Sequence, residues 1–412
     1  MAFRPDTRVS EARESLASGR LWLAFACMLL VSGIANTFPV FLPALLREFG
    51  GSRAATASAI TLLWIGGAVL GPATGWLVSR WNPRVVVMLG LTAAAIGLGA
   101  GALASTLPAF VLSVGIGAGI GVGLTGMVSQ AAILADAYVA RRGIAMGVAF
   151  SGSMAGYVVA PPVQWAIARL GWRAALLGYV AAVLALLPVA WRVLPRRLRA
   201  PGSPGRGAGP SDPTVGEVVA SRRFWVLAVL FATPPLFGYL ATTQHALYFG
   251  ERGFSAAEAS ALLGAGGVLA AAGRILFGLM ADRLGAPLAG FLSFGSSALG
   301  LACLFGLEAW PIRPLAWAYA FFLFLPMGSR ATIVSVLMSR VTPPAHYGVV
   351  FGLIGIGNNL GAAVGPALSG ALHDWTGSYL VVYLAAAGVL LVGLVALAWF
   401  ARLTSRATAP VE

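Results

Sequence analysis

Arg274 sits in the largely apolar run Ala257 to Ala281, eight residues before Asp282 and sixteen after Glu258. A cation at that depth in a membrane helix costs at least ~2.5 kcal/mol, so it should face a cavity and an anion rather than lipid. A guanidinium suits a carboxylate: its planar fork meets both oxygens with parallel hydrogen bonds and keeps its charge. Arg330, within Pro326-Met-Gly-Ser-Arg-Ala, is a second deep cation. It fits two readings equally, a second contact for a dicarboxylate or longer anion, or a structural bond to carbonyls freed by Pro326. His245, in Thr242-Thr-Gln-His-Ala-Leu-Tyr248, could move a proton near physiological pH. A neutral imidazole bonded to a neighbour, or gating the outer mouth, satisfies the same position. Asn36 beside Thr37 and Pro39, and Asn358 and Asn359 between Gly357 and Gly361, are neutral donors that could contact a substrate or join helices.

The elements that must position these groups are membrane spans. Hydrophobic residues make up 59% of the chain and charged residues 10%, with a mean hydropathy of +0.87, far from a soluble domain. Apolar stretches of about 20 residues, the length that crosses ~30 Å of hydrocarbon, recur throughout. Twelve are expected, over 21–46, 55–77, 85–105, 108–134, 143–168, 174–193, 224–249, 257–281, 287–307, 315–339, 347–372 and 379–400. None alternates with the period of an outer-membrane strand, so an all-α membrane protein is implied. Pro39 and Pro43 should bend the first span, and Pro161-Pro162 the fifth.

Every one of the 27 basic residues is arginine, and their placement sets topology, because cytoplasmic loops retain positive charge. Both termini are expected inside, in the cell inner membrane. The net charge of +14 follows this rule rather than nucleic-acid binding, since the arginines are scattered between apolar spans. The stretch 194–223, rich in Pro, Gly, Ser and Arg, reads as a disordered or extended cytoplasmic linker. It separates a six-span half over 21–193 from another over 224–402, with cytoplasmic tails at 1–20 and 403–412. Cys27 and Cys303 lie in different spans without metal or disulfide spacing, and no cofactor or metal site is expected. The series Gly115-x-Gly-x-Gly119-x-Gly-x-Gly123 lacks the strand and Lys-Ser/Thr of a phosphate loop, so it reads as close helix packing.

The two halves share a local pattern: Gly75-Trp-Leu-Val-Ser-Arg80 follows the second span and Gly278-Leu-Met-Ala-Asp-Arg283-Leu-Gly285 the eighth. Here the chain resembles the major facilitator superfamily, whose loop signature is G-x-x-x-D-R-x-G. The second copy matches; in the first, Ser79 replaces the acid and Asn82 the glycine. The resemblance implies two pseudo-symmetric six-helix halves and a cytoplasmic latch on Gly278, Asp282 and Arg283. Several stretches look like the monocarboxylate porter and oxalate/formate antiporter branch: Phe41-Leu-Pro-Ala-Leu-Leu-Arg-Glu-Phe-Gly50, Arg141-Arg-Gly-Ile-Ala-Met-Gly, Gly171-Trp-Arg-Ala and Arg252-Gly-Phe-Ser255.

In that branch the arginine matched by Arg274 binds substrate carboxylate. Animal porters of this kind also carry an aspartate one turn earlier for proton coupling, and here that position is Ala270. The function implied is a secondary carrier, not an enzyme, moving a small carboxylate, a monocarboxylate first, as a monomer with a coupling proton. Alternatives are a dicarboxylate or other organic-anion antiporter, a drug-efflux carrier, or a non-transporting sensor of the same fold.

Overall fold

The computed structural model describes residues 7–138, 142–197, 213–339, 342 and 347–405. Arg141, Arg340, His346, Arg406 and linker residues 198–212 lie outside them. A backbone in lipid must satisfy its own hydrogen bonds, and the described residues are helical without strands. The first half holds α1 (Thr7–Phe49), α2 (Arg53–Arg80), α3 (Pro83–Ala102), α4 (Leu107–Thr125), α5 (Met127–Ala137), α6 (Arg142–Ala155), a 3-10 turn (Gly156–Val159), α7 (Ala160–Leu170) and α8 (Trp172–Val193). After α9 (Val215–Ala220), the second half holds α10 (Arg222–Thr242), α11 (His245–Glu251), α12 (Ala256–Leu284), α13 (Ala286–Ala309), α14 (Arg313–Phe324), α15 (Arg330–Ser339), α16 (Tyr347–Thr376) and α17 (Tyr379–Ser405).

Ten helical stretches among the described residues are long and apolar enough to cross a membrane. The expected fifth and tenth spans are not among them, and each is broken within its length. In the fifth, the 3-10 turn divides α6 from α7, and Pro161 and Pro162 fall in the opening turn of α7, where a missing N–H costs little. In the tenth, residues 325–329 form a turn containing Pro326 between α14 and α15. By contrast α1 runs on through Pro39 and Pro43.

One expectation changes. The linker is not wholly extended, because Thr214 and Glu217 cap each other reciprocally and start α9. The Thr214 amide and hydroxyl hold the Glu217 carboxyl below the usual carboxylate range. The amino-terminal tail over 1–20 is helical from Thr7, as its Glu, Ala, Arg and Leu content permits.

The glycine series of α4 packs two neighbours at once. Residues 115, 119 and 123 face α2, and 117 and 121 face α3, a turn apart on each side. A Cβ on Gly115 would sit 2.6 Å from Leu62 Cβ, and one on Gly121 2.8 Å from Ala94 Cβ. Each half buries its own apolar cluster.

Polar contacts sort the helix ends. At the end carrying both termini, Arg20 pairs with Asp136 at 3.2 Å and Arg84 Nη2 donates to the Leu194 carbonyl at 2.6 Å. At the far end, Trp172 Nε1 donates to Glu48 at 2.5 Å and Arg313 Nε to Glu258 at 2.7 Å. The asymmetry of the loop signature has a backbone reason. Gly285 takes φ +88 between α12 and α13, a conformation that favours glycine. Asn82, at φ −86, instead caps α3 by accepting the Arg84 amide at 3.1 Å.

Candidate functional site

The break in the tenth span creates the central feature. Pro326 ends α14 and leaves the Gly328 carbonyl in the turn, outside a helix ladder. α12 crosses that turn closely, with Gly273 against the Leu325 carbonyl and Gly328 against the Ala270 carbonyl. A Cβ at Gly328 would lie 3.6 Å from the Arg274 Cβ. Arg274 Nε donates to the Gly328 carbonyl at 3.1 Å, so the carbonyl beside the proline break goes to Arg274 rather than to Arg330. Arg274 Nη1 is buried without a partner. One edge of the guanidinium is thereby fixed and a donor on it is unspent.

Arg330 is placed differently. It is 2% exposed, its Nε reaches Ser293 Oγ at 3.4 Å, and its Nη2 bonds the Ser297 hydroxyl. The Phe294 and Phe237 rings lie 4.5 and 5.5 Å from its guanidinium carbon. The two arginines share no hydrogen-bond partner. Among the asparagines, Asn36 Nδ2 donates to the Ser153 carbonyl at 2.6 Å and Asn358 Nδ2 to the Phe231 carbonyl at 3.2 Å, each joining helices within one half. Asn359 faces the other half, its Nδ2 3.9 Å from where a Cβ on Gly67 would sit.

His245 is 2% exposed and follows the interruption between α10 and α11. Its Nε2 lies 2.9 Å from the Ala259 carbonyl, and a carbonyl only accepts, so that nitrogen carries the proton. Nδ1, 3.1 Å from the Tyr319 hydroxyl, then accepts in the neutral ring. Asp282 and Arg283 are exposed at the end of α12, one turn beyond Gly278. No group of three His, Cys, Asp or Glu side chains among the described residues could hold a metal.

A cluster built on Arg53 joins the halves at the far end. Arg53 Nη1 donates to Gln244 Oε1 and the Tyr379 hydroxyl, both at 2.6 Å, and Nη2 pairs with Glu251 at 2.8 Å. The Arg53 and Ala54 amides donate to the Asp374 carboxylate at 3.1 and 2.8 Å. Further in, Thr61 bonds the Ala363 carbonyl at 2.7 Å and Trp64 Nε1 the Tyr239 hydroxyl at 3.0 Å. On the other flank, a Cβ on Gly264 would lie 2.9 Å from Pro161 Cδ, and one on Gly267 equally close to Tyr157 Cβ. Arg274 lies seven residues further along α12, roughly 10 Å toward the termini.

Residues 21–355 and 325–412 match the sequence profile of the Major Facilitator Superfamily. Monocarboxylate transporter 11 of Homo sapiens is 30% identical over 399 residues, 90% of this chain and 80% of its own. Monocarboxylate transporter 13 of Bos taurus is 27% identical over 385 residues, 90% and 86% of the two chains. A bacterial homolog of the human lysosomal transporter Spinster, solved inward-facing and unoccupied, superposes with a TM-score of 0.69. At 16% identity over 94% of this chain and 96% of that one, the likeness is one of fold.

Proposed function

The chain belongs to the major facilitator superfamily, and from that premise we propose that it carries a small monocarboxylate across the inner membrane by alternating access, together with a proton. The relatives named above are monocarboxylate transporters, which supports the substrate class. The observation that carries the reading is the Arg274 fork, held through Nε by Gly328 and offering Nη1, a buried donor with no partner. A carboxylate there would relieve an unpaired buried charge. Arg330 spends Nε and Nη2 on α13 and is almost wholly buried, which favours one carboxylate contact over the two a dicarboxylate would need.

In this reading Asn359 contacts substrate from the interface between the halves, while Asn36 and Asn358 hold helices in place. The arginine distribution puts the termini in the cytoplasm, so the far end is the outer one. Contacts between the halves close that end and leave Arg274 on the cytoplasmic side of the closure. Rocking of the halves would reverse this, with Asp282 and Arg283 engaging once the inner side shuts. His245 is the proton-coupling group in this reading, because Nδ1 can take a proton if the Tyr319 hydroxyl turns from donor to acceptor and the buried site opens to solvent during the cycle.

The test is thermal unfolding of the detergent-solubilised protein with short monocarboxylates, dicarboxylates and aromatic acids. A ligand that binds only the folded state raises the melting temperature. A shift with monocarboxylates that is absent in Arg274→Ala is expected. No shift with any acid would reject the substrate class.

A further inference from the structure

We propose that Arg330 holds a monatomic anion, a halide such as chloride, in a site inside the second half that is separate from the transport pathway. Its guanidinium is almost wholly buried and has no acidic partner among the described residues. Serine oxygens and aromatic faces spread a positive charge but do not cancel it. Nη1 has no partner at all, so the residue carries both an uncompensated charge and an unspent donor.

Beside it lies a cavity of about 10 Å³ lined by Arg330, Phe294, Ile333, Val334, Leu230 and Leu397, room for roughly one water-sized particle. Water is the poorer occupant. It needs two to four polar partners, and its own O–H groups would point at aliphatic walls. A halide needs only donors and contact with polarisable groups, which the guanidinium and the Phe294 ring on the same wall supply. Apart from Arg330 the lining is apolar, so a carboxylate there would leave an oxygen without a donor, whereas a monatomic anion needs only the one face that the guanidinium offers.

The walls come from α10, α13, α15 and α17. The anion would therefore pin the half-helix α15 against three neighbours, just beyond the turn whose Gly328 carbonyl fixes Arg274.

The experiment compares thermal unfolding of the detergent-solubilised full chain in sodium chloride and in sodium methanesulfonate, a salt without a carboxylate, at equal ionic strength. Wild type should melt about 2 °C or more higher in chloride, with saturation as chloride is raised. Arg330→Met should lose the difference, whereas Arg274→Ala should keep it. A wild-type difference of zero, a difference retained in Arg330→Met, or one lost in Arg274→Ala would each overturn the proposal. Loss in Arg274→Ala would assign the effect to the substrate site. Because Arg330→Met can fail to fold, wild-type crystals grown in bromide give an independent reading. An anomalous peak beside Arg330 Nη1 is expected, and its absence overturns the site.

Discussion

Arg274 and Arg330 are both arginines without a carboxylate partner, and what separates them is how much of the fork the protein has already used. Arg330 spends Nε and Nη2 on two serines, sits over two rings and keeps only Nη1, whereas Arg274 has a single backbone bond through Nε. Arg274→Ala should abolish carboxylate uptake in proteoliposomes while the melting profile without substrate stays close to wild type. Arg274→Lys should retain at most weak uptake, because an ammonium cannot bond Gly328 and meet a carboxylate with a planar fork. Unchanged uptake in well-folded Arg274→Ala would end the assignment. For His245, uptake driven by an acid-outside gradient should be lost in His245→Ala, while stabilisation by monocarboxylate persists; gradient-driven uptake that survives would remove the residue from proton coupling. Arg274 was legible in the sequence because a charge stands out in an apolar run. Arg53 was not, since an arginine at the edge of an outer loop looks the same whether it is solvated or bridges Gln244, Glu251 and Tyr379.

At the scale of elements, apolar length was enough to place ten of the twelve expected spans as long helices, and the α4 glycines announced close packing. What the sequence did not show was where a span breaks and who uses the freed backbone. Pro326 suggested free carbonyls, yet the group that takes one lies on α12, 54 residues away in sequence, and only the crossing of the two elements decides that. Gly273 is the contact point of that crossing, where any Cβ would meet the Leu325 carbonyl. Overpacking of this kind costs typically 1–3 kcal/mol. Gly273→Ala should therefore lower the melting temperature and, by pushing the turn away from α12, weaken monocarboxylate stabilisation as well. A Gly273→Ala protein with wild-type melting and wild-type ligand shift would show that the turn yields freely and does not position Arg274.

For the whole molecule the question is what keeps one end shut, and the closed end combines two different forces. α2 lies along α16 with small-residue packing, as where Gly370 meets the Arg53 and Ala54 backbone, and the Arg53 cluster adds charge-assisted hydrogen bonds across the same seam. Exposed ion pairs are worth only about 0.2–1 kcal/mol. Here the Arg53 side chain is only 18% exposed and it meets three acceptors, for which hydrogen bonds to charged groups contribute about 1.5–3 kcal/mol. Losing about 1.4 kcal/mol shifts a two-state equilibrium tenfold. A cleft of about 510 Å³ between α1, α7, α11 and α12 opens at this end, with Gln164 on its wall, and supplies the readout. With Cys27 and Cys303 replaced by serine, a cysteine at Gln164 should react with a membrane-impermeant maleimide roughly tenfold faster in Arg53→Ala than in the parent. Asp374→Ala should act in the same direction, because its carboxylate caps the α2 amides from the opposite half. Equal labelling rates would mean that helix packing alone holds the end closed and that the arginine only decorates it. Faster labelling together with slower net uptake would mean instead that the outer gate must close firmly for the cycle to turn, which places Arg53 among the residues that set transport rate although it never meets the substrate.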